Sequence, residues 1–138
     1  MDKLFLDTNV LLDYLAARPP FDQDAKTIIQ RAENEQIELF ISVLSLCNIS
    51  YILKKLSPGA DAKQVLADLS SLAVLTSVDA AVIADALASS FPDFEDAVQH
   101  YSAFRHGGIT HIITRNMPDF ASSLIPVFTP VAYISANP

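Results

Sequence analysis

Cysteine is almost missing from this chain. Its 138 residues include one, Cys47, so no internal disulfide can form. Cys47 sits in an apolar stretch, where a buried structural thiol is the expected reading. Basic residues are also scarce, with 9 Lys and Arg against 16 acids for a net charge of −7. That balance argues against a protein whose main task is gripping phosphate backbone, which relies on clustered Lys and Arg. It leaves room for an enzyme that meets phosphates through a bound metal. No apolar run approaches the ~18 residues needed to span a bilayer. The opening MDKLFLDTN turns acidic and polar too soon for a signal peptide. A reducing cytoplasm is the expected location. Repeats, low-complexity segments and linkers are absent. The histidines, His100, His106 and His111, lack ligand spacing with one another or with Cys47, so nothing suggests zinc and each is expected to be structural or on the surface.

Apolar residues, by contrast, are plentiful: they make up 51% of the chain, and mean hydropathy is +0.30. This is enough to fill one core, and the length suits a single domain over residues 1–138. Pro19-Pro20 and Pro58-Gly59 mark turns between equally hydrophobic neighbours. The pattern alternates strands and helices. Strands are expected at Lys3–Leu6, Glu38–Ile41, Ala73–Thr76, Thr110–Ile113 and Ile125–Phe128. Helices are expected at Asn9–Ala17, 22–36, Val43–Leu56, Ala60–Leu72, 79–90 and 94–106. Strands separated by helices imply right-handed crossovers and a parallel sheet covered on both faces, a three-layer α/β architecture. The β-branched runs at Ile109–Thr114 and Ile125–Phe128 fit strands buried on both sides.

In such a sheet, ligands bind beyond the carboxyl ends of the strands. Asp7 follows the first strand directly, while Asn116 and Asp119 follow the fourth. Glu95 and Asp96 open the helix that precedes the fourth strand, and Asn48 lies about one turn into the helix after the second. All of these positions fall at the same edge. Carboxylates gathered there without basic partners would repel one another, and a hard dication relieves that repulsion. Mg²⁺ or Mn²⁺ takes oxygen ligands and keeps waters, one of which can attack a phosphodiester. Each residue also has a plainer role open to it. Asp7 or Asn9 could cap the following helix, and Asp96 could answer the helix dipole. Glu95 could be a solvated neighbour, Asp119 could form an Asx-turn, and Asn48 could satisfy a buried backbone group. The coincidence of edge positions favours the metal.

The motifs LDTNVLLD, FEDAVQ at 94–99 and ITRNMPDF at 113–120 together resemble the PIN-domain family, many of whose members are toxins of toxin–antitoxin pairs. The resemblance runs from Lys3 to about Tyr133. It implies a sheet in order 3-2-1-4-5, metal-dependent cleavage of single-stranded RNA, frequent homodimers and, for toxins, a small antitoxin protein. Carried onto this chain, the family acids fall at Asp7 and Asp96, with Asn116 at the fourth position and Asp119 as a further acid of that loop. Thr114 matches a hydroxyl beside the metal, and Asn9 is expected to orient Asp7 through a hydrogen bond. Asn48 stands where the family usually has Glu, and Asn116 where it often has Asp. Each amide removes a negative charge and keeps a ligating carbonyl, which leaves Asp7, Asp96 and Asp119 as the carboxylates expected to hold the metal, with weaker affinity. The alternative implied by these two amides is a PIN module that binds RNA or a protein without cutting. Arg115, beside Asn116, is the expected phosphate contact; Lys54 and Lys55 could equally serve solubility and the helix dipole. A haloacid-dehalogenase-type phosphatase also begins with an Asp after its first strand, but Asn9 removes the second carboxylate of its DxDx(T/V) pattern.

Overall fold

The computed structural model describes residues 1–138. Strands β1 (Lys3–Leu6), β2 (Glu38–Ser42), β3 (Val74–Thr76), β4 (His111–Ile113) and β5 (Val127–Phe128) pair in parallel, in the order β3-β2-β1-β4-β5. Between and after them run helices α1 (Thr8–Leu15), α2 (Asp22–Glu33), α3 (Val43–Leu56), α4 (Ala62–Leu72), α5 (Ala80–Ala88), α6 (Phe94–His106) and α7 (Pro130–Ala136). The expected strand order and α/β class are thus found.

Successive strand residues point to opposite faces, and the two cores divide accordingly. Leu4, Leu6, Leu39, Ile41 and Ile113 pack on one face with Leu11 of α1, Ile28 and Ile29 of α2, Ile49 of α3 and Tyr133 of α7. Phe5, Phe40 and Ile112 pack on the other with Val82 of α5, Val98 of α6, Phe91 and Phe120. The result is three layers, with both faces of the central strands buried.

Helix starts follow side-chain capping. Asp7, Ser42, Asp61, Asp79, Asp93 and Thr129 each accept a hydrogen bond from a backbone N–H in the first turn of the helix they precede. Since Asp7 caps α1, that helix begins at Thr8, and it stops at Leu15, two residues before the expected end.

Three expectations need correction. β5 begins at Val127 because the Ile125 N–H is taken by the Ser123 hydroxyl at 3.0 Å. Both its residues are only half-buried, so it is an edge strand without full cover. Cys47 is exposed, because the core stripe of α3 is Ser45, Ile49 and Leu53 and position 47 lies off it. Helix α7 has no counterpart among the expected elements, although Thr129-Pro130 is a cap followed by a first-turn proline. A single 3-10 turn, Met117–Phe120, also breaks the segment after β4. No helix is long and apolar enough to cross a membrane.

Candidate functional site

The carboxyl ends of β1 and β4 lie side by side, with Leu6 level with Ile113. Asp7 continues β1, and its backbone N–H donates to the Ile113 carbonyl at 3.0 Å. Its side chain is 4% exposed. One carboxylate oxygen accepts the Thr8 N–H at 2.8 Å and the other accepts the Thr114 hydroxyl, also at 2.8 Å. Burial raises the carboxyl's pKa, partly offset by those two hydrogen bonds. Capping α1 thus leaves Asp7 able to ligate a cation, since each carboxylate oxygen keeps a further lone pair.

Asp96 is half-buried in the first turn of α6. The cap there is Asp93, whose carboxylate takes the Asp96 N–H at 2.9 Å. The Asp96 carboxylate makes no hydrogen bond of its own. Burial, and then the charges of Asp7, Asp93, Asp119 and Glu95, push its pKa up to about 7. No salt bridge reaches Asp7, Glu95, Asp96 or Asp119. Asn48 bridges α3 and α6, its Nδ2 donating to Glu95 Oε1 at 2.5 Å. It satisfies a side chain across the cleft, with no backbone partner.

Asp7, Asn9, Asn48, Tyr51, Glu95 and Asp96 are among the residues lining one polar cleft of about 360 Å³. Asp119 and Asn116 are not on its wall. Asp119 lies in the 3-10 turn, half-buried and close enough for its charge to act on Asp96. Asn116 is exposed; its N–H donates to the Thr114 hydroxyl at 3.0 Å. A larger apolar groove of about 420 Å³, bordered by Tyr14, Leu15, Val65 and Leu72, contains none of these residues.

One expected role is corrected, and one expected contact proves to have partners within the chain. The Asn9 side chain makes no hydrogen bond to Asp7, which is oriented instead by Thr8 and Thr114. Arg115, the expected phosphate contact, is held within the chain. Its Nε lies 2.6 Å from Asp13 Oδ2, its terminal nitrogen donates to Asp13 Oδ1 at 3.2 Å, and its guanidinium sits 4.0 Å over the Phe21 ring. Asp13 also holds Arg18 at 3.0 Å.

A network unforeseen from sequence ties the site's elements together. The Thr8 and Ser45 hydroxyls are 2.7 Å apart, and Gln99 Nε2 donates to them at 3.1 and 2.9 Å. All three are buried. They come from the early turns of α1, α3 and α6, the helices that carry or follow Asn48, Asp96 and Asp7. The available signal was spacing, because Ser45 and Gln99 each lie three residues from a site residue and so share its helix face.

The donor set is all oxygen, acidic and unpaired, which suits a hard dication. No three Asp, Glu, His or Cys side chains close into a ready-made cage. Mg²⁺ does not need one, since it keeps several waters and takes one or two carboxylates. Asp7 and Asp96, facing one cleft, fit that requirement.

Fold and cleft together define a three-layer α/β protein with an acidic site at the carboxyl edge of a parallel sheet. The PIN domain model matches residues 3–118, and the chain belongs to that family. No curated protein sequence matches significantly. Among solved structures, the chain is similar to a toxin–antitoxin complex from Klebsiella pneumoniae, with 24% identity, TM-score 0.68 and coverage of 92% of this chain and 97% of that one. It is similar to DNA-bound VapBC from Salmonella typhimurium at 18% identity and TM-score 0.68, covering 94% and 99%. It also resembles VapC20 of Mycobacterium tuberculosis, described as a sarcin–ricin loop cleaving toxin, at 20% identity and TM-score 0.60, covering 79% and 86%. These identities establish a shared fold.

Proposed function

We propose that the chain is a divalent-metal-dependent endoribonuclease that hydrolyses single-stranded RNA and acts as the toxin of a toxin–antitoxin pair. The observation that carries this reading is the buried Asp7 and the half-buried Asp96 on one cleft at the carboxyl edge, neither of them in a salt bridge. Bound Mg²⁺ or Mn²⁺ would supply an activated water and neutralise charge on the phosphoryl oxygens. Asp7, fixed by Thr8 and Thr114, and Asp96, released from capping by Asp93, are the carboxylates that would hold the ion. Asp119, in the 3-10 turn, is near enough for its charge to act on Asp96, and an acid there can serve through water; Asn116, just before that turn, would do so only from the exposed rim. Asn48 holds Glu95 at the cleft wall. Family membership supports the nuclease class, and the toxin–antitoxin neighbours support a small protein antitoxin. We extend the reading to a homodimer, which light scattering of the purified chain tests directly.

Incubation of single-stranded RNA with the protein and Mn²⁺ should give internal cleavage that EDTA stops. Absence of cleavage in Mn²⁺ and Mg²⁺ alike would reject the enzyme. The amides at 48 and 116 favour one second reading, a PIN module that binds RNA or protein uncut. Calorimetry separates the two, for a binding module takes up no Mn²⁺ at millimolar concentration.

A further inference from the structure

The wall of the acidic cleft carries one large aromatic that neither the fold nor the metal site uses. Tyr51 lies on α3, three residues beyond Asn48, and is 62% exposed. The core stripe of that helix is Ser45, Ile49 and Leu53, so Tyr51 faces away from the core. Its hydroxyl makes no hydrogen bond, and its ring borders the cleft together with Asp7, Asn48 and Asp96. One turn further on, Lys55 places its ammonium 4.5 Å from the ring centroid. Lys55 forms no salt bridge, whereas both arginines nearest the site are committed to Asp13. Near an otherwise acidic cleft, a free cation and an open ring thus stand together on one helix face.

From this juxtaposition we propose that Tyr51 and Lys55 form a nucleotide subsite, in which an unpaired base of single-stranded RNA stacks on the Tyr51 ring and Lys55 meets the adjoining phosphate. The proposal rests on the ribonuclease reading for its substrate class. Every base has a π-face, so an aromatic platform beside a cation binds single strands with little sequence preference. A lysine resting on an exposed ring is held weakly, and a base can displace it. Its long stem then lets the ammonium swing to the phosphate. The pair would also offset, at the entrance, the repulsion that acidic side chains exert on a nucleic acid backbone. Duplex nucleic acid, with its bases already stacked, has no free face to offer.

The chain has no tryptophan, so Tyr51→Trp introduces a single reporter. In an Asp7→Asn background, which keeps the strand uncut, fluorescence of the introduced indole should quench saturably with a short oligoadenylate RNA. An abasic oligomer of equal length should leave it unquenched. Anisotropy of labelled oligoadenylate should show Tyr51→Ala binding roughly 5- to 150-fold weaker, the range for a lost base–aromatic stack, and Tyr51→Phe binding near the parent. Lys55→Gln should flatten the salt dependence of binding. Tyr51 is exposed, so Tyr51→Ala should keep the parent's melting temperature. Oligoadenylate that binds equally well to Tyr51→Ala, that fails to quench the indole, or that does not bind at all overturns the subsite. Equal quenching by DNA and RNA would confirm the platform and overturn its assignment to RNA alone. Cleavage by the parent is scored separately. If the parent cuts and Tyr51→Ala shows an unchanged KM, the subsite fails and the nuclease stands. If nothing is cut yet the indole is quenched, the nuclease fails and the subsite stands.

Discussion

Two buried acids at either end of helix α1 are treated in contrary ways. Asp13, 1% exposed, is enclosed by Arg18 and Arg115, which lie 3.0 and 2.6 Å from its oxygens. Asp7, nearly as buried at 4%, has only hydrogen bonds from Thr8 and Thr114, and the stronger charge effect on it comes from an acid, Glu95. Arg115 acts on Asp7 only as the weakest of the influences on it. A buried charge is ordinarily paired because leaving it alone costs several kcal/mol. The Asp13 cluster follows that rule from within the chain. The Asp7–Asp96 cluster has no salt bridge of its own, and on the proposed reading its neutralising charge is a bound dication. Paired acids here build structure, and the unpaired ones are those proposed to form the site.

The contrast can be broken most forcefully by removing one acid from each cluster. Asp7→Asn or Asp96→Asn should reduce Mn²⁺-dependent RNA cleavage to background while the circular dichroism spectrum stays that of the parent. Cleavage that persists in both variants would remove these residues from the site. Asp13→Ala should behave in the reverse sense, destabilising the fold by about 3–5 kcal/mol because two guanidinium groups lose their buried partner. Urea unfolding measures it, and a change below about 1 kcal/mol would mean the cluster is ordinary surface pairing.

A smaller effect is expected from pH and metal together. Without metal, Asp96 holds its proton in the fold up to about 7 but loses it near 3.8 when unfolded. The folded state therefore binds more protons across that window, and this carboxyl lowers stability progressively as pH rises through it. Asp96→Asn should remove that downward slope and raise the melting temperature of the metal-free protein at pH 8. Mn²⁺ should stabilise the parent, by about 2.7 kcal/mol at a hundredfold excess over Kd, and more at pH 8 than at pH 5. Equal stabilisation at both pH values would contradict the charge argument.

The smallest effect comes from a third buried group that is neither paired nor part of the cleft. His100 is fully buried, and its Nε2 accepts the Leu124 N–H at 3.0 Å. Desolvation pushes its pKa down to about 4 from 6.5. Its contribution is intact above pH 6.5 and is lost as pH falls toward 4, opposite in sign to that of Asp96. His100→Gln, which retains an acceptor, should flatten the acid limb of the melting curve. An unaltered limb would show that His100 charges without penalty.

The contrast also explains why some roles are readable from sequence and others are not. That Asp7 ends a strand and Asp96 opens a helix is local information, carried by LDTN and by the Pro92-Asp93 start of α6. That Asp93 supplies the cap and frees Asp96 is local too, yet it needs atomic distances to decide. Arg115 reads as a free cation in sequence because its partner Asp13 lies 102 residues away. Cys47 reads as buried because an apolar neighbourhood in sequence says nothing about which helix face a residue occupies.

By itself the sequence determined the alternation of strands and helices, the parallel sheet with its carboxyl edge, and the set of acids and amides placed there. Those features depend on hydrophobic period and on residues within a turn or two of one another. Only the tertiary structure decided which acids are neutralised. Asp7 meets Thr114 across 107 residues and Asn48 meets Glu95 across 47, and Gln99 joins three helices that no local pattern connects. Electrostatic pairing acts at contact distance, and contact between remote segments exists only once the chain has folded.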